Sequence, residues 1–384
     1  MTFFEVGSHP AYFDDVTNAA ICRKVAEKCY IPANRLLLRL LTEYPEFSLS
    51  FSISGTVLEQ LQLYAPEALV SFQALVATGR VELLGETYYH SLASLFNLKE
   101  FKAQVRLHSR TIKKLFGVTP VVFRNTELIY SDAIGHTVKD LGFTGVLTEG
   151  AEHILAGRSP HFLYRHPSVA LPLLLKDYRL ADEIAFRFTH EGQALQASSF
   201  MQDVAKQSGQ TVNLFMDYET FGEHQWAETG IFDFLAQLPA AARKTGVSFI
   251  TATATLNRYS TTSSLSVANP ISWADQERDL SAWLGNPMQD GLANWLYQMG
   301  NKALEQGEKT RTVWRELQTS DHFYYLCTKH WADGDVHKYF SPFDSPHQAY
   351  TIFNNILTDF QALLEDNSKV AKKALRPIAV RSIV

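Results

Sequence analysis

Residues 98–127 read LKEFKAQVRLHSRTIKKLFGVTPVVFRNTE and contain one full unit of the pattern that organises this chain. Apolar residues recur at three- and four-residue steps over 98–116, which predicts a helix, and Gly117 stands where a left-handed C-terminal cap belongs. The apolar run at 120–124 then predicts a short buried strand, and its polar exit contains Glu127. A helix followed by such a strand is the repeating unit of α/β folds with a parallel sheet.

Other short apolar runs, each bounded by a glycine or another turn signal, predict further strands of this kind. The runs are 47–54, 81–84, 144–147, 211–216 and 247–251, with 171–175 as a doubtful addition. Helical periodicity covers residues 19–43 and the segment from Pro66 to Gly79 in the same part of the chain. This alternation predicts an α/β domain with a parallel sheet that is either open or closed into a barrel.

The pattern changes beyond residue 255, where a polar, Ser/Thr-rich stretch covers 256–270. From there on the periodicity is only helical, over 289–306, 311–331 and 346–365. We therefore expect three parts, which are an α/β catalytic domain at 1–255, a linker or excursion at 256–270, and a helical C-terminal region at 271–384 that completes the active-site cleft.

Composition excludes several classes of function for these 384 residues. The net charge is −5, so no basic surplus suggests nucleic acid or an anionic membrane as a partner. No apolar run is long enough to span a bilayer, and the first residues lack the features of a signal peptide, so we expect a soluble cytoplasmic protein. Three cysteines without paired spacing argue against a disulfide framework.

We expect the reactive side chains at the carboxyl ends of the predicted strands, where α/β folds place their sites. The strand 120–124 runs into Arg124 and Glu127, and the strand 211–216 runs into Asp217, Glu219 and His224. Two carboxylates at one mouth suit glycoside hydrolysis, in which one attacks the anomeric carbon and the other transfers protons. For either carboxylate alone, a helix cap or a solvated loop is the more frequent explanation.

The strand 81–84 exits toward His90, which could hydrogen-bond sugar hydroxyls or steady a carboxylate. Histidine and carboxylate side chains also offer metal ligands, but no tight signature such as HExxH is present, and we predict neither a metal nor another cofactor. A metal-dependent carbohydrate deacetylase is a chemically different alternative, and its Asp-His-His type of site has no clear counterpart here.

Five longer stretches resemble glycoside hydrolase family 57, whose members include α-amylases, 4-α-glucanotransferases, branching enzymes and amylopullulanases. The α-amylase-like members are the most similar. The stretches are VELLGETYYHSLASL (81–95), FRNTELIYSD (123–132), NLFMDYETFGEHQW (213–226), ISWADQERDL (271–280) and LQTSDHFYY (317–325).

The resemblance implies a fold and a mechanism. The fold is an incomplete, seven-stranded (β/α) barrel with helices appended at the C-terminal side, and the mechanism is retaining, without a cofactor. The family's nucleophile falls on Glu127 and its acid/base aspartate on Asp217, so their carboxyl groups should lie roughly 5–5.5 Å apart. The implied substrate is an α-1,4-glucan such as starch, glycogen or a maltooligosaccharide.

Further positions are candidates for contact with that substrate. The resemblance places a substrate-contacting aspartate at Asp321, and Trp273 is a candidate sugar platform, with core packing nearly as plausible an explanation. The remaining candidates are His90, Arg124, Glu219, His224 and His322.

The chain departs from the family at its start, because no His-Gln-Pro motif precedes the segment at residues 3–15. We therefore expect that the first barrel strand is absent, which would leave strand edges unpaired. This expectation leaves two alternatives to a hydrolase, which are a 4-α-glucanotransferase of the same family and a catalytically weak glucan-binding protein.

Overall fold

The computed structural model describes residues 3–8, 11–329 and 341–374. The chain forms two compact units. Among the described residues, one unit contains 3–8, 11–15, 281–329 and 341–374, and the other is Val16–Leu280. The domain boundaries at residues 255 and 270 stay a prediction.

The described strands are short. They are β1 (Phe3–Ser8), β2 (Ala11–Phe13), β3 (Leu49–Phe51), β4 (Val81–Leu83), β5 (Val122–Arg124), β6 (Gly145–Glu149), β7 (Tyr164–Arg165), β8 (Pro172–Lys176), β9 (Thr189–His190) and β10 (Gln193–Ala194). The α-helices of Val16–Leu280, the first of which begins at Asp15, are Asp15–Val25, Ile31–Glu43, Gly55–Tyr64, Pro66–Ala77, Ala93–Phe96, Leu98–Phe116, Asp132–Asp140, Glu152–Leu155, Tyr178–Ala185, Ala197–Ala205, Ile231–Thr245 and Ala252–Arg258. Those of the other unit are Pro287–Gln298, Gly300–Glu305, Glu308–Glu316, Asp321–Tyr324 and Pro346–Ala374.

Parallel pairing runs through the larger unit. β3 pairs with β4, and β5, β6 and β8 pair in that order, while β7 lies antiparallel on the far side of β8. A parallel bridge between Gly85 and Phe123 joins the two sets, so that the carboxyl ends of all five parallel strands face the same way. The predicted α/β class is confirmed.

Two predicted strands were wrong as regular elements. Residues 211–216 form only one parallel bridge, from Asn213 to Lys176, and 247–251 contains no strand, although Ser48 donates its backbone N–H to Phe249 O at 3.1 Å. Neither segment repeats its backbone pairing along its length, so a regular ladder does not form. The doubtful run 171–175, in contrast, is the central part of β8.

The sheet residues alternate between two cores. A small cluster on one face consists of Leu84, Val122, Leu128, Leu147, Leu163 and Leu174. Phe123, the next residue after Val122, instead contacts the ring of Phe101 on the long helix behind the sheet, with 6.0 Å between ring centroids. A much larger cluster joins β3 and β4 to the helices around them.

The long helix Leu98–Phe116 confirms its predicted bounds. Gly117 adopts φ 75° at its end, as the predicted C-terminal cap requires. At its start Asn97, which was not predicted as a cap, accepts a hydrogen bond from the backbone N–H of Glu100. The predicted helix 19–43 is interrupted by a π-helical turn at Ala26–Tyr30, which lies between Asp15–Val25 and Ile31–Glu43. Such turns often accompany functional sites because they redirect side chains.

The polar stretch after Arg258 is hydrogen-bonded to the chain around β7. Thr262 and Leu265 donate backbone N–H groups to Leu163 O and Arg165 O beside β7. Leu265 and Val267 are buried there. In the other unit, the hairpin β1–β2 carries Tyr12, whose hydroxyl donates to Asp359 Oδ2 at 2.6 Å. Cys22, Cys29 and Cys327 are buried and form no disulfide with one another.

Candidate active site

Glu127 lies in a strained turn directly after β5. Its backbone has φ 56° and ψ 26°, and that of Leu128 has φ 51°, a region that residues with a Cβ rarely adopt. Two buried neighbours stabilise the turn. Asn125 donates its side-chain amide to Ile129 O at 2.9 Å, and Thr126 shares a 2.6 Å hydrogen bond with the hydroxyl of Thr87. Strain of this kind is typical of functional positions that the surroundings over-determine.

The carboxylate of Glu127 has a partner on each oxygen. His90 Nε2 lies 3.2 Å from Oε1, and the indole N–H of Trp273 donates to Oε2 at 2.8 Å. Burial alone would raise the pKa of Glu127. The hydrogen bond and positive charge of His90, the charge of Arg124 and the bond from Trp273 outweigh it and lower the pKa to about 2. Glu127 is therefore ionised at neutral pH.

His90 also has a left-handed backbone, with φ 48°, and it lies between two carboxylates. Its Nδ1 is 3.7 Å from Glu86 Oε2, on the opposite side of the ring from Glu127. Burial lowers the pKa of His90, but hydrogen bonds to Glu127 and Glu86 and the charges of both carboxylates raise it to about 10. The ring is thus an imidazolium, with both nitrogens able to donate.

Glu86 follows β4 and pairs with both His90 and Arg124. It was not among the site residues that we predicted. It is 1% exposed, accepts from Ser52 Oγ at 3.0 Å, and lies 3.5 Å from Arg124 Nη1. Burial raises the pKa of Glu86, but the hydrogen bond and charge of His90 and the charge of Arg124 bring it below its usual value. Its position in the VELLGETYYH stretch, four residues before His90, was the available signal.

The tautomer of His108 follows from its two contacts beneath Glu86. Nδ1 accepts the backbone N–H of Glu86 at 3.3 Å, so Nε2 carries the proton and donates to Ile53 O at 2.8 Å. Burial lowers the pKa of His108 and keeps it neutral. The charged set is therefore Glu86, His90, Arg124 and Glu127, with two negative and two positive groups; we refer to these four residues as the charged tetrad.

Asp217 ends a segment whose side chains alternate between the two cores. Val212, Leu214 and Met216 pack against the larger cluster, whereas Phe215 packs against the smaller cluster that contains Leu128. Asp217 itself is exposed. The N–H of Asp177 donates to Asn213 O at 2.9 Å and so attaches this segment to the end of β8.

The π-helical turn holds the residues that follow Asp217. The hydroxyl of Tyr30 donates to Glu219, and Cys29 Sγ donates to Tyr218 O at 3.2 Å. The hydroxyl of Tyr218 in turn donates to Asn34 Oδ1 at 2.6 Å. Burial, and next the negative charge of Asp217, raises the pKa of Glu219.

His224 and Gly222 complete this turn. The backbone N–H groups of Glu223 and His224 donate to Glu219 O at 3.1 and 2.9 Å. The charge of His224 lowers the pKa of Glu219, against the larger effect of burial. Gly222 has φ 124°, and a Cβ there would meet Lys28 O of the π-helical turn at 2.0 Å, so only glycine fits.

A second group of buried charges at the strand ends was also missed. Glu149 and Lys176 are partners in the register of β6 and β8, with Nζ 3.9 Å from Glu149 Oε2. Lys176 lies 3.7 Å from Asp182 Oδ1, and Arg278 Nη2 lies 3.7 Å from Asp182 Oδ2. The rule of polar residues at strand ends, applied to every strand, would have included Glu149 and Lys176.

Asp321 and His322 begin a short helix, Asp321–Tyr324, in the unit that includes the chain from Ser281 onward. His322 is 2% exposed, and its ring centroid lies 5.5 Å from that of Phe353 and 6.4 Å from that of Phe13. Burial lowers the pKa of His322 well below its usual value, so the ring is neutral. The roles of both residues as substrate contacts stay a prediction.

Within residues 3–8, 11–329 and 341–374, no three His, Cys, Asp or Glu side chains are grouped in the way that a metal site requires. None of the helices in those same ranges combines the length and apolar character needed to cross a membrane.

Comparison with known proteins gives one family. The sequence profile of glycosyl hydrolase family 57 matches residues 2–268. A protein from Methanocaldococcus jannaschii, named "Putative alpha-amylase", is 42% identical over 371 residues, which cover 92% of this chain and 79% of that protein.

Solved structures with a similar fold include two enzymes from archaea. The family 57 branching enzyme of Thermococcus kodakaraensis has a TM-score of 0.69 at 14% identity, over 96% of this chain and 88% of that one. The 4-alpha-glucanotransferase of Thermococcus litoralis has a TM-score of 0.65 at 17% identity, over 88% of this chain. The present chain spans only 55% of that glucanotransferase.

Proposed function

The chain belongs to glycosyl hydrolase family 57, and from this premise we propose that it cleaves α-1,4-glucans by a retaining mechanism. Glu127 is the proposed nucleophile and Asp217 the proposed general acid/base. The main support for this proposal is that Glu127 is ionised and held in a fixed orientation. A nucleophile must be deprotonated and correctly aimed, and Glu127 is ionised, bonded on both oxygens and fixed by a strained turn.

The proposed reaction has two steps. Glu127 attacks the anomeric carbon while Asp217, protonated, gives its proton to the leaving glycosidic oxygen, which forms a glycosyl ester on Glu127. Asp217 then removes a proton from water, and the water attacks the anomeric carbon and releases Glu127. The positive charges of His90 and Arg124 favour the ionised form of Glu127 that each turnover must restore.

The alternation of residues 212–218 supports the role of Asp217. Asp217 is two residues after Phe215, so in an extended segment both side chains point to the same face. Phe215 packs on the cluster that includes Leu128, the residue after Glu127. We infer that Asp217 points toward the mouth that contains Glu127, and a separation of roughly 5–5.5 Å between the two carboxyl groups is expected.

We also propose that the parallel segments form the wall of an incomplete (β/α) barrel. The chain of contacts from Phe249 through β3, β4, β5, β6 and β8 to Asn213 connects seven extended segments in order. Seven such segments support a barrel wall of the size that the family resemblance implies, and the expected absence of the first strand stays a prediction.

The test is product analysis of a single defined maltooligosaccharide with the unmodified chain, Glu127→Gln and Asp217→Asn. We expect shorter products from the unmodified chain and a loss of at least about 10³-fold in kcat with either variant. Retention of the α configuration in the first product, followed by NMR, checks the retaining mechanism. Full activity of Glu127→Gln would contradict the assignment.

The same experiment separates the alternatives. Products longer than the substrate identify a glucanotransferase, because a glucan hydroxyl then replaces water in the second step. Binding of the oligosaccharide without turnover by the unmodified chain identifies a glucan-binding protein. His90, Arg124, Glu219, His224, Asp321 and His322 remain proposed substrate-binding residues, and the expected sugar-platform role of Trp273 is weighed below against a different role.

A further inference from the structure

Trp273 contacts Glu127 twice, with its side chain and with its main chain. The indole N–H donates to Glu127 Oε2 at 2.8 Å, and the backbone N–H of Trp273 donates to the carbonyl oxygen of Glu127 at 3.3 Å. The two contacts fix both ends of one residue. A side chain that served only for packing or for stacking on a sugar would need neither.

Two cations lie over the indole ring. Arg124 Cζ is 4.7 Å from the ring centroid and Lys176 Nζ is 5.2 Å from it, both within the range of cation–π attraction. The ring surface beneath them is closed to a stacked sugar. Carboxylates hold both cations in turn, since Glu86 pairs with Arg124, and Asp182 and Glu149 pair with Lys176. The positions of the two cations against the ring are therefore fixed.

The loop that carries Trp273 is also fixed. Arg278 donates to the carbonyl of Trp273 and pairs with Asp182, and the backbone N–H of Ser272 donates to Arg278 O at 3.1 Å. Asp275 and Arg278 have φ of 53° and 51°, so the loop stores backbone strain as the turn at Glu127 does. Two strained segments thus meet at the two hydrogen bonds between Trp273 and Glu127.

We propose that Trp273 is a positioning residue that acts through Glu127: its indole N–H holds the carboxylate in the orientation for attack, and the loop around it exists to place that donor. The inference rests on the proposed function, because it concerns the same nucleophile. It differs from the sugar-platform role expected of Trp273, in which the face of the ring would bind the substrate.

Two replacements at position 273 distinguish the roles. Trp273→Phe keeps an aromatic face but removes the donor, and β-(3-benzothienyl)alanine at 273 keeps the shape of tryptophan while sulfur replaces the N–H. With an aryl maltooligoside, we expect kcat to fall about 10–100-fold in both variants, as for loss of a hydrogen bond to a charged group, and KM to change less than about threefold. The isostere covers the case in which Trp273→Phe does not fold.

Trp295→Phe is the matched control. The indole N–H of Trp295 donates to Gln361 Oε1 at 2.6 Å, so this variant also removes a hydrogen bond from an indole to a side-chain oxygen. We expect its kcat and KM to stay within about twofold of the unmodified chain. A rise in KM with unchanged kcat in the two Trp273 variants would overturn the proposal in favour of a platform.

A variant that lacks Glu127 tests whether Trp273 acts through it. In Glu127→Ala, azide can attack the anomeric carbon as the aryl group leaves, which gives a glycosyl azide of inverted configuration. Adding Trp273→Phe should then change the azide-rescued rate by no more than about threefold, because the group that Trp273 positions is gone. An equal loss in both backgrounds would overturn the positioning role. Full activity of Glu127→Ala without azide would instead overturn the proposed function.

Discussion

His90 lies between two ionised carboxylates, and this position makes the stability of the chain depend on pH. Its pKa is raised from 6.5 to about 10, so protonation of the ring stabilises the folded state. That contribution is complete below pH 6.5 and disappears as the pH rises through 10. The lowered pKa of Glu127 acts in the opposite direction, because its contribution is present above the usual carboxyl range and is lost as the pH falls toward 2.

We expect His90→Gln to lower the free energy of unfolding most at pH 6 and least at pH 10. The glutamine has no charge to offer Glu86 or Glu127, so the difference from the unmodified chain should shrink as the native His90 loses its proton. Denaturant unfolding at pH 6, 8 and 10 measures this. His136→Gln serves as the control, since His136 forms only an exposed pair with Asp140, and a difference for His90→Gln that does not vary with pH would contradict the prediction.

At the scale of elements, the π-helical turn Ala26–Tyr30 supports the turn that follows Asp217. It places Tyr30 against Glu219 and Cys29 against Tyr218, and its backbone approaches Gly222 too closely for any side chain there. A regular α-helix through these residues would rotate the side chains away from these partners. The interruption of the helix is therefore part of how the proposed acid/base is positioned.

We expect Gly222→Ala to cost at least about 3 kcal/mol in unfolding free energy and to abolish activity, because its Cβ would overlap Lys28 O. Gly117→Ala is the matched control. Gly117 also has a positive φ, of 75°, but nothing lies within 4 Å of a Cβ there, so it should cost only about 1 kcal/mol. Chemical denaturation and activity assays compare the two variants, and equal losses would count against the close approach as the cause.

Local signals predicted the elements whose stability is local, such as the helix Leu98–Phe116 with its C-terminal cap at Gly117. They did not predict that residues 211–216 and 247–251 lack strand ladders, because pairing depends on neighbours that are distant in sequence. The run at 171–175 seemed doubtful because leucine also favours helices, and only its position between β6 and β7 decides the outcome.

The candidate site likewise contains residues that the sequence predicted and residues that it did not. The rule of strand ends identified Glu127, Arg124 and His90, and the structure brings these three together. It did not predict that Trp273 donates to Glu127, because residues 271–280 return to the mouth from a loop and not from a strand. Glu86 was also missed, because a buried carboxylate cannot be distinguished from a solvated one by sequence spacing.

At the scale of the whole molecule, the candidate nucleophile and the partners described above, His90, Arg124 and Trp273, belong to the unit Val16–Leu280. The family profile extends over almost the same residues, 2–268. The described part of the second unit is helical apart from the hairpin β1–β2, and it carries Asp321 and His322. A glucan bound near Glu127 would therefore contact the unit Val16–Leu280 and stabilise its folded form.

We expect maltoheptaose to raise the melting temperature of Glu127→Gln by about 2–5 °C at a concentration near 100 times its Kd, since a ligand bound only by the folded state stabilises it. The variant prevents turnover during the experiment. Cellohexaose, a β-1,4-linked glucan, should have no effect. Equal shifts with both sugars would contradict selectivity for α-linked glucans.

The charged tetrad has a consequence for the inheritance of this site. Because the charges of Glu86, His90, Arg124 and Glu127 sum to zero in a largely enclosed space, the loss of any one member leaves one net charge uncompensated. A lineage cannot easily drift at one of these positions alone, whereas an exchange of two opposite members preserves neutrality. Glu86→Gln with Arg124→Met should therefore lose less stability than the sum of the two single variants, and additive losses would show that Glu86 and Arg124 are not energetically coupled.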